Sequence, residues 1–363
     1  MLLYHFLYFI AMHDSANIWL SDAEKTHFAG VSLARSLYSE NTTVCLEGEL
    51  GAGKTTFLQG FLEGLGVQQN VTSPTYALEQ RYAVKSEECR VKSEELKVKS
   101  DQSAEILHID LYRLDEKQAE EFIASSHDHG GIRCIEWSDR LPKHPEDCIL
   151  LQFEDPGDGG RTIDITFDDI PIPTATDVER FRQEVSLPDG IVRHCEAVGS
   201  FAERLAKQLL KNGHICRPLA LKRAGEIHDL FRFVDFTAGA AHVEAKNTTE
   251  QEELWAEWKH QYSGLHHEEA CSTFLEEEGF PEIATIVKTH GLSLPPETRV
   301  TMEQKVLFYA DKRLMSDRVV SLDERFADFA KRYKDGKHAK EGDVWKKLAE
   351  EVESELFPEG IPQ

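Results

Sequence analysis

A glycine-rich segment near the start of the chain has the composition of a phosphate-binding loop. Residues Gly48 to Thr55 read GELGAGKT, a full match to the pattern GxxxxGK[ST] between a predicted strand and a predicted helix. Glycines allow backbone amides to turn toward a phosphate, Lys54 can reach phosphate oxygens, and the Thr55 hydroxyl can ligate magnesium. This context favours a nucleotide site over a chance glycine turn.

Two acidic residues follow at the ends of apolar strands. A P-loop NTPase needs an acid to hold magnesium or its water, and a polar loop that senses the γ-phosphate. Asp110 and Glu136 are the candidates for the acid, and Thr72 to Thr75 form a polar segment suited to the loop. Taken singly, an acid at a strand end is about as often a helix cap or a surface residue.

Histidine and aspartate recur in the second half of the chain, on segments with helical spacing. Imidazole and carboxylate groups together suit a transition metal or magnesium, and a bridging aspartate lets two metals share one site. An adjacent His-Asp pair alone is weak evidence, so the prediction depends on the ordered series. The alternative is a helical domain whose helix-end histidines bind no metal. The series is His194, His228, Asp229, His267, His290 and Asp311.

The elements that would carry these residues divide the chain in two, as its 363 residues suggest. The first part predicts an α/β domain with a helix over 21–38 and strands over 43–46, 106–109, 132–136, 149–153 and 162–167. Residues 168–177 carry two prolines and are predicted to be a linker. The second part predicts an all-α domain with helices over 192–211, 219–228, 267–278, 282–289 and 303–315. We expect the domains to span residues 13–168 and 178–345.

Four motifs in the first part, taken in order, resemble the TsaE family, the ATPase of bacterial tRNA threonylcarbamoyladenosine synthesis. They are GELGAGKTT, VTSPTYALEQRY, HIDLYRL and IEWSDRLP, and the resemblance covers about residues 20–167. It implies a P-loop NTPase fold and work with TsaB and TsaD partner subunits, so that the tRNA modified next to its anticodon is contacted indirectly. It also implies ATP and Mg²⁺ at Gly51, Ala52, Gly53, Lys54, Thr55 and Thr56, with Thr55 and Glu136 on the metal and with Lys54, Asp110 and Glu136 as catalytic residues.

The chain departs from this family in a charged heptad repeat over residues 84–101. Its apolar positions are too few to bury a coiled-coil seam, so a solvated insertion is predicted. Thr26 and Gly30 weakly match the family's opening helix near the adenine, and helix packing is the simpler role for both.

The histidine series resembles the HD phosphohydrolase superfamily over about residues 185–320. The resemblance implies a core metal site of His194, His228, Asp229 and Asp311, completed by His267 and His290 at a second metal. The metals would be Mn²⁺, Fe²⁺ or Mg²⁺, with Asp229 catalytic in a phosphoester hydrolysis. His266 competes with His267 in the alignment, and HEEA favours His267. Arg232 and Lys288 are candidate phosphate ligands, although solvated basic residues are the simpler interpretation.

Composition limits the partners and the compartment. A formal net charge of −24 repels phosphate backbones and anionic membranes, so tight general nucleic-acid binding is not expected. The seven cysteines form no CxxC pair, which favours a reducing cytoplasm. The apolar run 1–12 is too short to span a membrane, and Met12 is the preferred first residue over an interfacial helix.

The sequence therefore predicts a tRNA-modification ATPase fused to a metal-dependent nucleotide phosphohydrolase. The alternative is a nucleotide-gated, partner-binding subunit whose helical half is a non-catalytic scaffold. A small P-loop nucleotide kinase is disfavoured, because few arginines follow Lys54 to hold a second phosphate substrate.

Overall fold

The computed structural model describes residues 13–360, apart from 85–103, 127–128, 158, 237–247, 293 and 333–341. The opening run 1–12 and nearly all of the predicted insertion therefore lie outside the described residues. None of the described helices is both long and apolar enough to cross a membrane.

A seven-stranded mixed sheet forms the N-terminal region, which confirms the predicted α/β class. Its order is β1-β7-β6-β2-β5-β4-β3. The central strands β6, β2, β5 and β4 run parallel, whereas the pairs β1/β7, β6/β7 and β3/β4 are antiparallel. The strands are β1 (Asp14–Leu20), β2 (Thr43–Gly48), β3 (Glu79–Val84), β4 (Ala104–Asp110), β5 (Arg133–Glu136), β6 (Cys148–Glu154) and β7 (Arg161–Phe167).

Helices α1 (Ala23–Ala34), α2 (Lys54–Gly64) and α3 (Glu116–Ser125) complete this region. Helix α1 begins at its cap Asp22 and is shorter than the predicted 21–38. Helices α1 and α2 lie in backbone contact because each presents a glycine to the backbone of the other. A Cβ at Gly30 would meet the Phe57 carbonyl oxygen at 2.1 Å, and one at Gly60 would meet the His27 carbonyl oxygen at 1.9 Å. Gly30 therefore serves helix packing.

The C-terminal region is helical, as predicted, with one small addition. A two-stranded hairpin of β8 (Leu314–Met315) and β9 (Arg318–Val319) follows the tenth helix. The predicted helix end at Met315 was wrong, because the helix stops at Lys312 and the chain turns at Ser316 with φ +58°. The helices are α4 (Ala175–Glu184), α5 (Asp189–Lys211), α6 (Pro218–Ile227), α7 (Thr249–Gln261), α8 (His267–Glu277), α9 (Pro281–Lys288), α10 (Met302–Lys312), α11 (Leu322–Arg332) and α12 (Gly342–Leu356).

The predicted linker 168–177 is shorter than expected and partly buried. Thr174 caps α4 in a capping box with Asp177, so the last three linker residues belong to the helix. The Asp169 side chain is 3% exposed and Ile170 is buried. These residues therefore take part in packing between the two regions.

A fully buried arginine joins the two regions. Arg217 Nη2 donates to Asp169 Oδ2 at 2.6 Å, and its Nη1 donates to the Ser36 carbonyl at 2.7 Å and to Glu303 Oε1 at 3.1 Å. The Arg217 backbone N–H also donates to Glu303 Oε1 at 3.0 Å. Each partner comes from a different segment, so one guanidinium fixes the linker, the end of α1 and the start of α10.

A buried aspartate on the edge strand makes a second connection. Asp14 accepts backbone N–H bonds from Leu219 at 3.0 Å and Ala220 at 2.8 Å, so β1 caps the N-terminus of α6. Burial raises the pKa of this carboxyl from 3.8 to about 6, although the two N–H donors and Arg217 oppose that shift.

Replacing Gly60 with alanine tests the close approach of α1 and α2. We expect Gly60→Ala to lower the free energy of unfolding by about 1–3 kcal/mol, because the added Cβ forces two helix backbones apart. Gly190→Ala is the control, since its nearest neighbour, Arg193 Nη2, lies at 4.0 Å. Urea unfolding measures both, and equal stability of the two variants would contradict the packing described.

The raised pKa of Asp14 predicts a pH dependence of stability. The folded chain holds this proton more tightly than the unfolded chain, so the stabilisation is full below about pH 4 and is lost as pH rises through 6. Between pH 7 and pH 5, wild type should gain about 1 kcal/mol relative to Asp14→Asn. Urea unfolding of both proteins at several pH values measures the difference, and a constant difference would refute the assignment.

Candidate nucleotide and metal sites

The glycine-rich loop connects β2 to α2 and opens toward the ends of the central parallel strands. Gly51 and Gly53 have φ of +83° and +109°, in the region that favours glycine. The peptide between them turns so that α2 begins at Lys54. The loop therefore leaves the first N–H groups of an eleven-residue helix available to an anion, as the sequence predicted.

Lys54 lies over this loop with its side chain 5% exposed. Its ammonium donates to the Gly48 carbonyl at 2.5 Å and the Glu49 carbonyl at 3.0 Å, and it lies 4.0 Å from the centre of the Trp137 ring. Burial lowers the Lys54 pKa, and the charges of Glu136 and Asp110 oppose that effect. The ammonium is thus bound to neutral carbonyl oxygens, which anionic phosphate oxygens can replace.

The two predicted acids are brought together beside the loop. Asp110 and Glu136 are register partners at the ends of the parallel strands β4 and β5. Thr55 Oγ1 donates to Glu136 Oε2 at 3.2 Å, which places the predicted magnesium ligands side by side. Asp110 Oδ2 accepts from Ser73 at 2.5 Å and from Thr75 at 2.7 Å, so the polar segment is attached to the second acid.

These groups surround a cavity of about 270 Å³. Predicted residues among its lining are Gly51, Gly53, Lys54, Thr55, Thr56, Ser73, Thr75, Asp110 and Glu136. Ala52 is absent from this lining; it is buried, and its N–H donates to the Glu49 carbonyl at 3.1 Å. The remaining lining residues, Leu50, Tyr112 and Trp137, carried no prediction.

Sequence reasoning also missed His108, which supports Glu136 from below. The ring is fully buried on β4, and its Nε2 lies 2.9 Å from Glu136 Oε1. A histidine inside an apolar strand resembles a core residue. In the sequence, only the HID motif suggests that this histidine works beside an acidic residue. His108 therefore holds Glu136 in the orientation that meets Thr55.

Six residues of the histidine and aspartate series converge in the helical region. His194 lies on α5, the His228-Asp229 pair ends α6, and His267 begins α8. His290 follows α9, and Asp311 ends α10. Their ligand atoms form three groups within 4.8 Å: His194, His228 and Asp311; His228, Asp229 and His290; and His267, Glu268 and His290.

Each of the four histidines uses Nδ1 to donate to an oxygen outside the cluster. The acceptors are carbonyls for His194 (Ser316, 2.7 Å), His228 (Gly225, 2.8 Å) and His290 (Val287, 2.6 Å), and the carboxylate of Asp235 for His267 (2.5 Å). This arrangement fixes the tautomer and leaves every Nε2 facing the cluster, as metal-ligating histidines require.

Two contacts show that the cluster suits a cation. His267 Nε2 and His290 Nε2 lie 3.3 Å apart, and with both Nδ1 atoms donating, the two Nε2 lone pairs face each other unless a proton or a cation lies between them. The buried Nε2 of His228 has no hydrogen-bond partner among the described residues, and the nearest carboxylate oxygens are at 3.7 and 3.8 Å. A divalent cation would satisfy both features, so the residues present fit the metal that the HD resemblance implies.

The two aspartates supply the negative charge. Burial raises the pKa of Asp229, but His228 and Arg232 outweigh it and hold that pKa well below its ordinary value. Burial lowers the pKa of His228, but the charge of Asp229 outweighs it and raises that pKa well above its ordinary value. Metal binding at this cluster therefore competes with protons.

The remaining candidates lie at different distances from the cluster. Arg232 Nη1 is 3.0 Å from His267 Nε2, so its guanidinium borders the site. Lys288 is exposed on α9. Glu268 and Asp235, which carried no prediction, both contact His267 Nδ1. Asp235 could not be found by motif, because only the turn after α6 brings it to α8.

Comparisons with known proteins address the first of the two sites. A family model described as "Threonylcarbamoyl adenosine biosynthesis protein TsaE" matches residues 20–163. A Nostoc sp. protein named "tRNA threonylcarbamoyladenosine biosynthesis protein TsaE" is 32% identical over 164 residues, which cover 43% of this chain and 89% of that protein. The chain belongs to the TsaE family.

A second curated relative also matches the TsaE region. A protein of the same name from Synechocystis sp. is 31% identical over 137 residues, covering 36% of this chain and 76% of that protein. The crystal structure of Bacillus subtilis YdiB is 25% identical, covers 43% of this chain and 88% of that chain, and has a TM-score of 0.31. The nucleotide site falls inside the TsaE match, whereas the histidine cluster lies outside residues 20–163.

The histidine doublet offers a matched test of the metal cluster. We expect His267→Ala to weaken Mn²⁺ binding about tenfold or more, because it removes an inward Nε2. His266→Ala should leave Mn²⁺ binding nearly unchanged, since that side chain is 79% exposed and, apart from its place at the cap of α8, lies 3.6 Å from Asp235 Oδ1 rather than at a ligand atom of the cluster. Isothermal titration of metal-free protein with Mn²⁺ measures both. A loss confined to His266→Ala would reverse the assignment.

Proposed function

We propose that the TsaE region binds and hydrolyses ATP in the cytoplasm, as a subunit acting with TsaB and TsaD in tRNA threonylcarbamoyladenosine synthesis. The observation that carries this proposal is the meeting of Lys54, Thr55, Asp110 and Glu136 in one cavity. Family membership supports the same function. With a net charge of −24, the chain is expected to reach the tRNA through its partners.

Each residue at this site has a distinct task. Lys54 would move from the carbonyls of Gly48 and Glu49 to the phosphate oxygens, exchanging neutral acceptors for charged ones. Thr55 and Glu136 would hold Mg²⁺, which supplies charge neutralisation when bound. Asp110 holds Ser73 and Thr75, so the polar segment can respond to what the cavity contains.

For the helical region we propose an HD-type phosphohydrolase site. Convergence of six residues from five helices, with all four histidines held through Nδ1, supports it. Asp229 is central, because its Oδ1 lies 3.2 Å from His267 Nε2 and 3.6 Å from His290 Nε2, while Oδ2 faces His228. This position lets one carboxylate serve two metal positions.

The chemistry at this second site is a class-level proposal. A divalent metal held by the cluster would polarise a phosphoester and lower the pKa of water. Asp229 would orient that water, and Arg232 at the border of the cluster would bind phosphate oxygens. We propose a nucleotide phosphoester as the substrate class, although none of these residues identifies the leaving group.

Lys54→Ala tests the ATPase. We expect ATP turnover, measured as phosphate release with TsaB and TsaD present, to fall at least about a hundredfold, since the variant loses its charged phosphate contact. Lys143→Ala is the control because its lysine is 76% exposed and pairs only with Glu146. Unchanged turnover in Lys54→Ala would reject the site.

Asp229→Ala tests the phosphohydrolase separately. With Mn²⁺ present, a screen of nucleotide phosphoesters should show cleavage by wild type that falls about a hundredfold or more in the variant. ATP turnover at Lys54 should remain. Asp343→Ala, which removes an exposed carboxylate on α12, is the control. If wild type binds no Mn²⁺ and cleaves nothing, the helical region is a scaffold.

A further inference from the structure

The polar network at the junction contacts the starts of two helices whose far ends supply the metal cluster. Asp14 accepts the N–H bonds of Leu219 and Ala220 in the first turn of α6. Arg217 binds Glu303 in the first turn of α10. Helix α6 is followed directly by His228 and Asp229, and Asp311 lies in the last turn of α10.

These helices are short enough to behave as rigid links. Ten or eleven residues form a rod of about 15 Å, in which each turn is fixed by its own hydrogen bonds. Buried side chains pack α6 and α10 against each other and against α5, which carries His194. A displacement of the first turn of either helix therefore moves the metal-cluster residues at its other end by a similar distance.

The junction residues are attached in turn to the N-terminal region. Ser32 Oγ accepts from the Ile215 N–H at 2.8 Å, and Ser36 Oγ donates to the Ile215 carbonyl at 3.2 Å. The Tyr38 hydroxyl lies 2.9 Å from Thr301 Oγ1, the cap of α10, and 3.2 Å from Glu303 Oε2. Helix α1 and the turn after it therefore contact the segments that lead into α6 and α10, the two helices that carry residues of the metal cluster.

We propose that Arg217 is a positioning residue for the metal cluster, through which the TsaE region sets the affinity of the helical region for a divalent cation. The inference rests on the metal site of the proposed function. Arg217 touches no ligand of the cluster. It acts through Glu303 on α10, and Asp14 acts in parallel through the first turn of α6.

A conservative substitution tests this role without removing the buried charge. Arg217→Lys keeps a cation but loses the planar fork whose Nε and Nη2 bind the two carboxylate oxygens of Asp169. The control is Arg133→Lys, which removes a similar fork from Thr43 Oγ1 inside the TsaE region and away from the junction.

Mn²⁺ is titrated calorimetrically into each metal-free, full-length protein at pH 7, and binding of a fluorescent ATP analogue is measured in parallel. We expect Arg217→Lys to weaken Mn²⁺ binding about tenfold, which lies in the range typical of coupling between two separate sites. Arg133→Lys should bind Mn²⁺ like wild type, and ATP-analogue affinity should be unchanged in Arg217→Lys. A purely structural role would lower the melting temperature and leave Mn²⁺ affinity intact, which would overturn the proposal.

Two further outcomes are decisive. If Arg217→Lys fails to unfold cooperatively, Glu303→Gln replaces it, because it neutralises the carboxylate through which Arg217 acts, and unchanged Mn²⁺ affinity in that variant overturns the inference. Wild type is titrated first. If wild type binds no Mn²⁺, the proposed metal site itself is rejected. If wild type and variant bind Mn²⁺ equally well, the metal site stands and only the role of Arg217 is rejected.

Discussion

The burial of Arg217 is the constraint on which the arrangement of the two regions depends. A buried charge left without partners destabilises a protein by several kcal/mol, about 3–5 in measured cases. The guanidinium therefore holds its place only while Asp169, Glu303 and the Ser36 carbonyl surround it. The Phe167 ring, 4.8 Å away, closes the site on the side of the sheet. The linker, α1 and α10 cannot shift independently without exposing or unpairing that charge.

The two functional sites follow one physical design on different scaffolds. In the TsaE region, the ends of parallel strands present Asp110 and Glu136, and groups behind them fix their orientation. In the helical region, helix ends present imidazoles whose Nδ1 atoms are held by carbonyls or by a carboxylate. Both sites place charged or polar groups at the ends of strands or helices, where regular backbone hydrogen bonding stops.

Sequence reasoning succeeded where the signal was local. The glycine-rich loop, the central parallel strands and five helices of the second half were predictable, because motif and periodicity report on neighbouring residues. Strand β1 was missed because it forms only by pairing with β7, more than a hundred residues later. Arg217 carried no prediction, since its partners are separated widely in sequence. His108 and Asp235 were missed for the same reason, as each gains its role from a residue on another element.

The burial of the edge strand β1 depends on a helix that lies far from it in the sequence. Asp14 is buried because α6 covers it, and α6 begins more than two hundred residues later. A fragment truncated after β7 would retain every residue of the nucleotide site. In that fragment Asp14 would lack its N–H donors, and Phe167 would lack the Arg217 guanidinium that lies against its ring. During synthesis, the TsaE region therefore emerges before the helices that cover β1. This strand stays uncovered until those helices have been made and have folded.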